Sequence, residues 1–179
     1  MKKVEHGKTF DRNAANPPAF EIFHNTVTEG YPEHWHTAIE IIMPTRGEYE
    51  VVVGKDSYNL KEGDIIMINS GVVHGMRFVS QGERIVMLVE PGCVENQEEM
   101  ETIFLRLPAI YFKKEDEEDP FYLFLRSQIL ELVREYDNEG AVMTHRICTG
   151  LKELFSEFGR KGFSDANAQN TFGAMKQQE

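Results

Sequence analysis

The sequence predicts a mainly β fold, an antiparallel sandwich or barrel, followed by two to three α-helices. Three observations carry that reading. Between Phe20 and Glu90 short apolar runs recur, punctuated by Gly47, Gly54, Gly63, Gly71 and Gly82. After Pro91-Gly92 the hydrophobic period changes from strand-like to helical. The length of 179 residues suits one compact domain, or a domain with an appendage, but not two full ones.

Residues 1–19 are polar, end in Asn16-Pro17-Pro18-Ala19 and show little periodicity, so they read as an arm or linker. A β domain is expected over 20–112. Its runs are Phe20–His24, Ile39–Met43, Tyr49–Val53, Ser57–Leu60, Ile65–Ile68, His74–Val79 and Arg84–Val89, with a short extended piece at Ala109–Phe112. Gly54-Lys55-Asp56 suits a tight hairpin. Between these, residues from about Asn96 to Leu107 space Met100, Ile103, Phe104 and Leu107 as a helix would, and Pro108 ends it.

A helical appendage is expected over 113–162. The acidic run Glu115–Asp119 precedes Pro120, so Asp119 reads as an N-cap, Pro120 as the first helical position, and the acids as favourable at the positive end of the dipole. Phe121, Phe124, Leu125, Gln128, Ile129, Leu132, Val133 and Tyr136 form one amphipathic stripe. Met143, Ile147, Leu151, Leu154 and Phe158 form a second, on a helix from about Ala141 to Gly159. Because the first helix already offers a face to cover the sheet, the second stripe is expected to make a homodimer. Residues 163–179 are polar and read as a linker or tail.

Composition narrows the function. The chain is 41% hydrophobic and 27% charged, as globular proteins are. No apolar run approaches the roughly 20 residues of a membrane span, so no membrane partner is expected. The net charge of -11 argues against direct nucleic-acid contact, which needs clustered Lys and Arg. Cys93 and Cys148 stand far apart in the sequence in unrelated contexts and fit free thiols in a reducing cytoplasm.

The chemistry concentrates in two segments. The first is His34-x-His36-x3-Glu40-x6-Gly47; the second is Gly63-x5-Asn69-x-Gly71-x2-His74. On an unbulged strand His34, His36 and Glu40 share a face, and a neighbouring strand carrying His74 completes three imidazoles and a carboxylate. That set suits a first-row divalent ion such as zinc, nickel, iron or manganese. Without an ion, the same side chains would wall a polar pocket. Met76 and Phe78 share the parity of His74 and are expected to line the ligand cavity with apolar surface. His6, His24 and His145 read as ordinary structural or surface residues. Nucleophile-elbow and phosphate-loop motifs are missing.

These two segments resemble the paired motifs of the cupin superfamily, whose fold is a double-stranded β-helix, a jelly-roll-like barrel. The resemblance implies that His34, His36, Glu40 and His74 bind the metal. Three positions depart from the family pattern: Thr28 stands for the leading glycine, Asn69 for the proline, and Phe78 for the asparagine after the last histidine.

With the phrase Leu60–Ile68 and the trailing helices, residues from about 18 to 160 are similar to the amino-terminal domain of AraC-type transcriptional regulators. That similarity implies a small-molecule effector in the barrel, dimerisation through the carboxy-terminal helices, and DNA contact only through a helix-turn-helix domain not present in this chain. It implies a sensor and not an enzyme. The alternative is a stand-alone metal-dependent cupin enzyme, an oxygenase or isomerase.

Overall fold

A computed structural model describes residues 19–26, 30–93, 108–114, 118–138 and 140–161. The expected arm before Ala19, the helix from about 96 to 107 and the tail at 163–179 lie outside the described residues.

Two antiparallel sheets face each other. The strands are β1 (Phe20–Asn25), β2 (Tyr31–His34), β3 (Ile39–Arg46), β4 (Tyr49–Val53), β5 (Asp56–Leu60), β6 (Ile65–Ile68), β7 (His74–Phe78), β8 (Glu83–Val89) and β9 (Ala109–Phe112). Five of them form one sheet in the order β1-β8-β3-β6-β9, and four form the other in the order β2-β7-β4-β5. Two helices follow, α1 (Pro120–Asp137) and α2 (Met143–Lys161).

Burial follows this layering. In β3 every residue from Ile39 to Pro44 is buried, because the five-stranded sheet is covered on both faces. In β4 burial alternates, Tyr49, Val51 and Val53 facing in, because the outer face of the smaller sheet meets water. The β4–β5 hairpin pairs Val53 with Asp56, and Gly54 takes φ 60, a left-handed value that an L side chain rarely adopts.

The apolar side chains form two clusters. One lies between the sheets and holds Ile42, Tyr49, Val51, Val53, Tyr58, Leu60, Ile66, Ile68, Met76 and Ala109. The larger lies between the outer face of the five-stranded sheet and the helices. There Ile39, Ile41, Met43, Met67 and Met87 meet Leu125, Ile129, Leu132, Ile147, Leu151, Leu154 and Phe158. Each fully buried aliphatic side chain contributes roughly 2 kcal/mol of burial free energy. Asp119 caps α1 by accepting from Phe121 N at 2.8 Å, and the Tyr122 hydroxyl donates to the Gly63 carbonyl at 2.8 Å, pinning the helix to the turn before β6.

Two expectations need correction here. The α2 stripe is not left for a partner: Ile147, Leu151, Leu154 and Phe158 are each 0% exposed within the single chain. Both helices lie against the sheet, with Phe158 meeting Phe112 of β9 and Phe121 of α1 edge-on, so a dimer through this stripe would first unpack the protein's own core. The cysteines, in turn, do not occupy unrelated places. Cys93, in a 3-10 turn after β8, and Cys148, on α2, bring their sulfurs to 3.6 Å.

Candidate metal centre

His34, His36, Glu40 and His74 converge, their potential ligand atoms all lying within 4.8 Å of one another. The route differs from the single-strand expectation. His34 ends β2 in the smaller sheet, His36 lies in the short link that follows, just before a bend at Thr37-Ala38, and Glu40 sits on β3 in the larger sheet. The chain crosses between sheets over these seven residues, so a corner, not shared strand parity, aims them together. His74 opens β7 and pairs directly with His34. The corner is held by Gly71 N donating to the His36 carbonyl at 2.9 Å and by Thr37 Oγ1 donating to Glu90 at 3.1 Å.

Each imidazole is oriented by the backbone. Nδ1 of His34 meets Pro32 O at 3.0 Å, that of His36 meets Ala38 O at 2.9 Å, and that of His74 meets Val72 O at 2.8 Å. A carbonyl only accepts, so each Nδ1 carries the proton and Nε2 is the nitrogen offered for ligation. Donors about 2.1 Å from one ion stand roughly 3–4 Å apart, so the cluster would contract by about 1 Å around it. The residues present therefore fit a divalent ion, with Nε2 of the three histidines and the Glu40 carboxylate as ligands.

The electrostatics point the same way. Nε2 of His36 and of His74 donate to one oxygen of Glu40, Oε2, at 3.0 and 2.9 Å. Burial alone would raise the Glu40 pKa, but those two bonds outweigh it and hold it at about 2. For His74, burial opposes the charged form, yet the hydrogen bond and attraction from Glu40 prevail and its pKa is raised. His34 is shifted down, first by burial and then by repulsion from His74. An ion would take the same Nε2 atoms that now face Glu40, so it would replace those two hydrogen bonds.

His36, Glu40 and His74 are buried, whereas His34 is partly open beside exposed Trp35 and Tyr31, which sets the open side of the site. Met76 is buried in the inner cluster, on the strand that carries His74. Phe78 pairs with Tyr49 through its backbone, and its side chain lies outside the described residues. His24 is partly buried on β1 and His145 is exposed on α2; neither joins the cluster. Sequence reasoning assigned no role to Arg84, which is buried at 4% exposure on the inner face of β8. Its signal was available: it shares the parity of Val86 and Leu88, opposite Glu40 and Ile42 on β3.

No curated protein matches the chain in sequence. Among solved structures, the fold is similar to that of an apo ToxT variant from Vibrio cholerae, with a TM-score of 0.51 and 10% identity, covering 82% of this chain. This chain spans 58% of the length of that one. A cupin-2 domain containing protein from Shewanella frigidimarina aligns over 42% of this chain and 76% of its own, with a TM-score of 0.38 and 16% identity. An oxalate decarboxylase variant from Bacillus subtilis aligns over 38% of this chain and 20% of its own, with a TM-score of 0.35 and 17% identity. No helix among the described residues is long and apolar enough to cross a membrane. Residues 25–90 match the Cupin_2 family, described as a cupin domain, so a cupin domain is present here, and helices follow it.

Proposed function

We propose that this chain is the small-molecule-sensing domain of an AraC-type transcriptional regulator, with DNA read by a domain outside these residues. One observation carries the reading. The likeness to ToxT, an AraC-family regulator, covers 82% of the chain and so extends well past the cupin match at 25–90. The regulator's barrel would hold the effector. The helices on the outer sheet face would pass a change in barrel packing towards the carboxy-terminal end of the chain.

The second reading is a metal-dependent cupin enzyme, and the ligand set favours it directly. A divalent ion at His34, His36, Glu40 and His74 would supply Lewis-acid or redox chemistry there. The residues themselves would orient the ion through their carbonyl-bound Nδ1 atoms and leave the His34 side open to solvent.

The gene's reading frame beyond Glu179 separates the two. The sensing reading expects a continuation of about 100 residues with two helix-turn-helix units. A stop codon at that point, together with metal-dependent turnover by this chain, would overturn it in favour of the enzyme.

A further inference from the structure

The inner face of the five-stranded sheet carries a second polar level that the metal centre does not use. Arg84 stands between Pro44 on β3 and Asn25 on β1, and its guanidinium carbon lies 4.7 Å over the Tyr49 ring. Among the described residues its buried Nε and Nη1 meet no hydrogen-bond partner of good geometry, and the Tyr49 hydroxyl, buried too, is its polar neighbour. Gly82 keeps this corner tight, since a side chain there would run into the Arg46 carbonyl and meet the Tyr49 hydroxyl at 2.9 Å.

Arginine remains charged inside proteins. Burial draws its pKa down while Tyr49 and Glu40 work against that shift. A buried cation with unspent donors is costly unless something answers it. The inward carboxylates stand at another level: Glu21 and Glu40 both lie opposite Leu88, four residues along β8, or about 13 Å of strand rise. Glu40 is moreover held by His36 and His74. Between the two levels, Phe23 and Val86 on the inner face are only partly buried, so the described residues do not seal that wall.

We infer that Arg84 and Tyr49 form the anion-binding end of the effector site. The guanidinium and the phenol hydroxyl take the carboxylate of a small organic acid, whose apolar part lies along Val86 towards the metal centre. One cation and one neutral donor match one negative charge. This assignment rests on the sensing reading above and names the class of its ligand.

Scanning fluorimetry on chelator-treated protein tests it, because no ion is then left to capture the acid. The probes are acetate, succinate and benzoate, each against its amide. At least one acid should raise the wild-type Tm by roughly 5 °C at about 100-fold excess over its Kd, while the amides do nothing. Arg84→Met should abolish that response and yet raise the Tm of the ligand-free protein, because it removes an unanswered buried charge. Arg84→Lys should keep part of the response. An arginine that merely stacks on Tyr49 would give the opposite sign, a lower Tm for Arg84→Met, and that result overturns the proposal. So does the absence of any acid response in the wild type, or an acid response that survives in Arg84→Met. Equal shifts from amides and acids would remove the anion site and leave the sensing reading standing. Acid binding followed by metal-dependent consumption of the acid would keep the anion site and remove the sensing reading.

Discussion

The two faces of β3 and β8 are one backbone with two chemistries. Outward, Ile39, Ile41 and Met43 meet Ile85, Met87 and Val89, and the helices close over them. Inward, the same strands present Glu40 and Arg84 among Ile42, Val86 and Leu88. The outer face stabilises by area, which is non-directional and tolerates repacking. Inward polar groups each need a specific partner, so that face gives up some stability to hold ionisable groups in a dry place. Function is therefore expected on the inner face and folding strength on the outer one.

The largest effect should come from charging the outer face. Leu151 and Leu154 are fully buried beneath α2, so Leu151→Asp combines a lost apolar side chain with a buried unpaired carboxylate. The cost should be roughly 5 kcal/mol, comparable to the whole stability of a typical domain. Circular dichroism and urea denaturation should show a largely unfolded chain. A folded monomer with unchanged stability would mean that the stripe serves a second copy and not this core, and the contrast between the faces would collapse.

The next effect belongs to the inner face and depends on pH. The Glu40 carboxyl is held at about 2 in the folded chain against an ordinary 4.5, so its ionised form favours folding. That stabilisation is present above about 4.5 and is lost as the pH falls towards 2. His74 has the opposite sign: its pKa is raised above 6.5, so its contribution is present below that value and fades as the pH rises through the folded pKa. Chelated wild-type protein should therefore lose on the order of 3 kcal/mol over the acid window from Glu40 alone. Glu40→Gln should lack that step in its acid denaturation profile. An identical profile in the variant would show that the two histidines do not hold this carboxylate.

Much of this architecture was legible in the sequence because glycine turns and apolar runs are local signals. Gly47, Gly63 and Gly71 all adopt positive φ at the turns their positions suggested. Asp119 and Pro120 announced the start of α1 for the same reason. The four convergent side chains were legible as residue types at a spacing, but their route was not. Periodicity describes one strand and is blind to a corner at which the chain changes sheets between His34 and Ile39. The destination of the α2 stripe was illegible too, since an amphipathic pattern says that a face is covered and not by what. Arg84 was missed for a different reason. Its parity with Val86 and Leu88 pointed inward, but it opens an apolar run, where a charge usually marks the end of burial; the register with Pro44 and the ring of Tyr49 place it inside.

The smallest of these effects tests the inner face at its metal level. His34 and His74 face each other across β2 and β7, with ring centroids 4.4 Å apart, and supply two of the four donors. His34→Ala combined with His74→Ala leaves His36 and Glu40, one imidazole and one carboxylate, as the remaining pair. Two donors cannot fix the geometry that three imidazoles and a carboxylate fix, so affinity for a divalent ion should fall steeply. Elemental analysis of untagged protein should show metal content dropping to a small fraction of wild type. The thermal stabilisation by added zinc, worth about 2.7 kcal/mol at 100 times Kd, should vanish with it. The outer face offers the internal control. Neither histidine touches the helix cluster, so the helical signal in circular dichroism should survive the double substitution. Undiminished metal content in the variant would place the ion elsewhere, and the inner face would then have to be read as a polar pocket whose partners are organic.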